Sequence, residues 1–216
     1  MGTFKIVGKQ KQGGNVAAYF CAPDGRVLHA VAGPVNAATM LKELKWTVET
    51  AEKAIKEAKK DGAKFKEIFR KAHAKKLKDE YGLVVEAVTY DPPASDEKSA
   101  LTYNDPTGKP LAPKLPAPPV QGPDVTLKEK VLAARQAGEA KAPGAKALLD
   151  RGGRRWVLGN QGRVHVLLAG HSMKKLDKLY GSVFEGILGE KISTKPVEVV
   201  TPFPWVKGEN KKQPKK

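Results

Sequence analysis

Residues 15–33, NVAAYFCAPDGRVLHAVAG, decide how the chain is read. Asn15 to Cys21 is apolar and aromatic enough for a strand, Pro23-Asp24-Gly25 is turn chemistry, and Arg26 to Ala32 is a returning strand. Counting outward from the turn sets Cys21 opposite Val27 rather than His29. Gly33-Pro34 breaks the chain, and Asn36 is placed to cap a helix running to about Lys60. Leu41, Leu44, Val48, Ala51, Ile55 and Ala58 recur at spacings of three and four, which predicts one buried apolar stripe. Glu49 with Lys53, and Glu52 with Lys56, are expected as ion pairs on the opposite face. Asp61-Gly62 ends this helix and a second runs from Ala63 to Tyr81, with Phe65, Ile68, Phe69, Ala72 and Leu77 inward. Gly82 stops it, and Leu83 to Tyr90 has the β-branched character of a strand.

The chain then changes character. Nine of its 16 prolines fall in residues 91–123, and each removes a backbone donor and fixes φ. The segment is therefore read as an extended, polyproline-like strap. Pro110, Pro113, Pro116 and Pro119 carry P-x-x-P spacing, so the strap has a second reading as a ligand for an aromatic groove.

Residues 124–206 form the C-terminal portion, expected to pack on residues 1–90. Thr126-Leu-Lys-Glu129 is a capping-box pattern, and Ala145 to Asp150 reads as a turn or two of helix. Ser172 caps a later helix with Met173, Leu176, Leu179, Tyr180, Val183, Phe184, Ile187 and Leu188 inward. Gly25 to Gly33 aligns without gaps on Gly162 to Gly170 with five of nine identities. On that echo residues 156–168 are read as a second hairpin; the rival reading makes Arg163 to Ala169 a short helix. Residues 207–216 hold five lysines and one glutamate and read as a disordered tail.

The 216 residues carry a net charge of +16, divided as +7 over residues 1–90, −1 over 91–123 and +10 over 124–216. Such a surplus favours acidic partners or serves solubility. No apolar run approaches the ~20 residues that span a bilayer. The N-terminus has neither a secretory pattern nor, with Ile6 in place of Ser or Thr, a myristoylation pattern. With a single thiol the expected location is the cytoplasm.

The hairpin block Tyr19 to Leu28, with Gly33 and the helix carrying Leu41 and Leu44, resembles the late hairpin and helix of thioredoxin-like proteins, in a style similar to uncharacterised ones of planctomycete bacteria. The resemblance covers residues 15–60. It implies an α/β fold, a mixed sheet with helices packed on it. No W-C-x-x-C motif is present, so no redox activity and no site residue carries over.

The chemistry-bearing residues give few patterns. Cys21 has no base opposite it across the hairpin and reads as a small core residue more readily than as a nucleophile. The four histidines, His29, His73, His165 and His171, show neither H-x-x-x-H nor C-x-x-C spacing, so no metal and no cofactor is expected. Lys64, Lys71, Lys75 and Lys78 fall on one side of the second helix, with Lys66 and Arg70 read as flanking them, a face suited to phosphates. Gly152-Gly153-Arg154-Arg155-Trp156 joins a basic turn to an aromatic that could stack a base. Trp156 is also a candidate protein contact.

Three readings of function follow. The first is a redox-inactive, thioredoxin-like assembly module contacting other protein subunits. The second is a basic protein associated with a polyanion such as RNA, the ribosome or the nucleoid. The third is an enzyme using Cys21.

Overall fold

The computed structural model describes residues 4–7, 10–13, 16–85, 115–122 and 129–189, with side chains for 16–85, 115–122 and 131–189. It is a mixed α/β fold. Strands β1 (Phe4–Val7) and β2 (Gln10–Gly13) form one ladder. β3 (Ala17–Cys21) and β4 (Val27–Ala32) form the hairpin read from sequence, and Cys21 does pair with Val27. The turn closes through the Gly25 amide donating to the Ala22 carbonyl at 2.9 Å. Gly25 has φ +81°, and the Asp24 carboxylate accepts from the Arg26 amide.

Helix α1 (Ala37–Ala58) begins at Asn36, whose side chain accepts from the Thr39 amide as expected. Its buried face shares only Ala58 and the half-buried Ala51 with the predicted stripe. Glu43, Thr47, Thr50, Ala54 and Ala58 face inward, while Leu41, Leu44, Val48 and Ile55 are exposed. The Thr47 and Thr50 hydroxyls donate to the carbonyls of Glu43 and Trp46 at 2.7 Å. A threonine satisfied one turn back can be buried without an outside partner. The expected Glu49–Lys53 and Glu52–Lys56 pairs are not formed; Lys53 approaches Glu57 instead.

Helix α2 (Gly62–Lys76), capped by Asp61, buries Phe69, His73 and Lys76 and passes into a π-helical turn, Leu77–Tyr81, closed by Gly82. β5 (Val84–Val85) pairs with β6 (Val120–Gln121) at the end of the strap. Pro110, Pro113, the rest of the expected strand to Tyr90, Thr126 and the lysine tail lie outside the described residues. Helix α3 (Glu129–Ala140) leads to β7 (Lys146–Leu149) and β8 (Arg155–Leu158), an antiparallel pair. β7 replaces the helical turns expected over Ala145 to Asp150.

Residues 160–171 then form helix α4 (Asn160–His171), and the second-hairpin reading is corrected in favour of helix. A short apolar run suits a buried strand or a buried helix equally well, and its surroundings decide. Here nearly every residue of α4 is buried, as in a helix at the centre of a fold. Ser172 stands at the C-terminal cap of α4, so α5 (Leu176–Gly181) starts later than expected, Leu176 is exposed, and a π-helical turn, Ser182–Leu188, completes it.

Among the described residues every ladder is two-stranded and antiparallel, so the single mixed sheet expected from sequence is not formed there. The free edge of β4 is covered instead by chain, with the Val27 amide donating to the Lys174 carbonyl at 2.8 Å. The two halves share a core: Val27, Ala30 and Ala32 pack with Val164, Leu168, Leu179 and Val183. The strap end belongs to it too, since Pro118 is buried against Gly170 and the His171 Nε2 donates to the Pro116 carbonyl at 2.7 Å.

Candidate functional site

Four elements each deliver one polar side chain to the same interior point. The period of two in β4 puts His29 on a face with Val27 and Val31. Glu43 comes from the polar face of α1, His73 lies one turn after Phe69 on α2, and His165 comes from the centre of α4. All three imidazoles are fully buried. One ring nitrogen from each lies within 4.8 Å of the others, a grouping able to hold a metal ion.

Glu43 Oε2 is the hub. It accepts from His29 Nε2 at 3.0 Å and from Lys76 Nζ at 2.6 Å, with His165 Nε2 at 3.8 Å. Lys76 Nζ also lies 4.5 Å over the Trp46 ring. Trp46 stands edge-on to His29, His73 and His165 at centroid distances of 5.0, 4.9 and 5.3 Å. A groove of about 520 Å³, bordered by Trp46, Thr50, Lys76, Asp79 and Glu80, reaches this Trp46–Lys76 lid from outside.

Burial disfavours charge on each histidine. It lowers the pKa of His29, lowers that of His73 further with help from the other two rings, and brings His165 to about 3. Burial alone would raise the pKa of Glu43, but the surrounding His165 and His29 rings and the Lys76 ammonium outweigh it and keep the carboxyl ionised. The site is thus three neutral imidazoles around one carboxylate, balanced by one ammonium.

Its protons do not close. His73 Nε2–H donates to the Leu28 carbonyl at 3.0 Å, which leaves His73 Nδ1 a lone pair. That lone pair accepts from His165 Nδ1–H at 2.8 Å. His165 Nε2 is then a second lone pair, facing a carboxylate oxygen and without a hydrogen bond. The opposite tautomers move the conflict to His73 and the Leu28 carbonyl. His29 Nδ1 is likewise buried without a partner. A buried ring lone pair facing a carboxylate oxygen calls for a cation between the two, a proton or a metal ion.

The residues singled out from sequence lie elsewhere. Lys64, Lys71, Lys75 and Lys78 are exposed on α2 and its π turn, with Lys71 paired to Glu67 and Lys75 to Asp79. Lys66 and Arg70 are half-buried, and the 3.6-residue period sets them well away from that face. Arg154 and Arg155 are exposed at the β7–β8 turn, while Trp156 is buried with its indole N–H on Asp150 at 2.8 Å and presents no contact surface. Pro116 is exposed and Pro119 half-buried. Cys21 is exposed, and desolvation raises its pKa, so the thiol stays protonated at neutral pH.

Spacing could not find the cluster, because its members come from four separated elements. A weak signal existed in α2, where His73 and Lys76 continue the inward period of Phe65 and Phe69. No family model, curated protein or solved structure matches this chain.

Proposed function

We propose that this chain is a metal-binding protein that holds one divalent first-row transition ion between His29, His73, His165 and Glu43. The observation that carries the reading is the convergence of three fully buried imidazoles beside a carboxylate, with ring nitrogens that no arrangement of protons on neutral rings satisfies. Three nitrogens and one oxygen suit Zn²⁺ or Fe²⁺ and not Mg²⁺ or Ca²⁺, which take oxygen ligands. Bonds of ~2.0–2.1 Å set the ligand atoms of a tetrahedral ion about 3.3–3.4 Å apart. The 3.0 Å from Glu43 Oε2 to His29 Nε2, now a hydrogen bond, and the 3.8 Å from the same oxygen to His165 Nε2 lie on either side of this spacing. Sequestration from water suits a closed site that fixes structure or stores an ion.

The test is metal analysis of the purified chain, followed by titration of chelator-treated protein with Zn²⁺ and Co²⁺. One equivalent is expected, with visible Co²⁺ absorption of a tetrahedral site. His73→Ala and His165→Ala should abolish it, and Glu43→Gln should weaken binding at least tenfold. A folded apoprotein that binds neither ion at a one-to-one ratio overturns the reading.

The thioredoxin-like affiliation of residues 15–60 and the assembly-module role belong to the same proposal. They are supported by the β3–β4 hairpin running into α1, and by the apolar side chains α1 leaves exposed. A polyanion-associated role is supported by the exposed lysines of α2. No helix among the described residues is long and apolar enough to cross a membrane.

A further inference from the structure

Helix α1 turns Glu43 inward and a second pattern outward. Leu41, Leu44, Val48 and Ile55 are 50%, 40%, 46% and 62% exposed. With Ala51 between them, half-buried at the edge of the Ala54–Phe69–Met173 core, they keep the alternation of three and four that marks a coiled-coil seam, Leu41 and Val48 at a positions, Leu44 and Ala51 at d. The two flanks of that seam differ. On one side the g positions Thr47 and Ala54 are buried in the protein's own core. On the other, the e positions Lys45 and Glu52 are exposed, and neither has an ion-pair partner among the described residues.

This asymmetry selects a geometry. A parallel partner helix would set each e position against a g position, and here g is closed by the protein itself. An antiparallel partner sets e against e. With a and d residues in register, Leu44 meets Ile55 of the partner subunit and Val48 meets Ala51 of the partner subunit. Lys45 then falls beside Glu52 of the partner subunit, and the two-fold axis repeats each contact. One seam of opposite charges and apolar layers that complements itself only under a two-fold operation describes an isologous dimer.

We propose that α1 is a self-association surface whose occupant is a second copy of this chain, packed antiparallel across Leu44, Val48 and Ile55. This names a partner for the assembly reading and stands independently of the metal site. The seam from Leu41 to Ile55 is two heptads long, short for the ~1,200–2,000 Å² of a standard interface, so a weak dimer is expected.

The test is sedimentation equilibrium of the full chain from about 1 to 200 µM, with circular dichroism to confirm that each variant is folded. Wild type should shift from monomer to dimer across that range. Lys45→Glu should move the midpoint at least tenfold to weaker association, as should Glu52→Lys. The double variant Lys45→Glu/Glu52→Lys restores the pair with its signs exchanged and should recover the wild-type midpoint. Val48→Asp, which brings two carboxylates near the axis, should leave monomer throughout. Wild type that stays monomeric overturns the proposal, whether because a segment of the same chain or a different protein covers the stripe. So does a dimer indifferent to Val48→Asp, or one that the double variant fails to restore.

Discussion

The Nδ1 atoms of His73 and His165 lie 2.8 Å apart, although the residues are separated by 92 positions in the chain. Only one proton fits between them. The packing of α2 against α4 has therefore been fixed around an imidazole pair that shares a proton, in an interior where neither ring can charge at low cost. The acid response of the fold follows from this.

His29, His73 and His165 all have folded pKa values below the 6.5 of an ordinary histidine, chiefly through burial. The unfolded chain binds protons that the folded chain refuses. The stability they contribute is fully present above about pH 6.5 and is lost as pH falls below it. Three sites give a slope of up to about 4 kcal/mol per pH unit. Urea unfolding of chelator-treated protein between pH 8 and pH 5 should show a flat upper region and a steep fall below pH 6. A profile that stays level to pH 5 would contradict neutral burial of these rings. Glu43, with its lowered pKa, adds acid sensitivity only below the ordinary carboxyl range.

Lys76 and Glu43 are each about 5% exposed at the side chain and 2.6 Å apart. Removing one partner strands the other, at a cost of about 3–5 kcal/mol. Lys76→Met should show this loss by urea unfolding. Adding Glu43→Gln removes the stranded charge and keeps an acceptor for His29, so the double variant should recover at least half. A single-variant cost below about 1 kcal/mol would mean the pair is not buried as described.

Two glycines separate strain from propensity. Gly144 has φ +67°, and a Cβ there would stand 1.9 Å from Asn160 Oδ1. Gly144→Ala should destabilise by about 2 kcal/mol or more. Gly138 lies in α3, where an added Cβ would meet nothing within 4 Å, and Gly138→Ala should stabilise by about 0.5–1 kcal/mol. Equal melting shifts of the same sign would contradict both placements.

The α2 lysines predict a salt dependence. If Lys64, Lys71, Lys75 and Lys78 each meet one phosphate, the log–log slope of RNA or duplex DNA affinity against salt is about −3.6. Changing Lys64 and Lys78 to Gln should reduce it by half or more. The intrahelical partners of Lys71 and Lys75 compete for their charge, so these two contribute less. Absence of binding at low salt would assign the +16 to solubility.

Local chemistry in the sequence settled the hairpin, its Cys21–Val27 register and the cap at Asn36, because turns and caps are short-range interactions among neighbouring residues. It also settled that residues 37–58 and 62–76 are helices. Periodicity gave α1 an apolar stripe but not a direction, since threonines bonded to their own helix let the polar face be the buried one. Residues 160–171 echo the strand β4 and yet are helix, because an apolar segment enclosed on every side takes its conformation from what surrounds it. The histidine cluster belongs wholly to tertiary structure. Its members carry no spacing that sequence could show, and they meet only because β4, α1, α2 and α4 pack around one point.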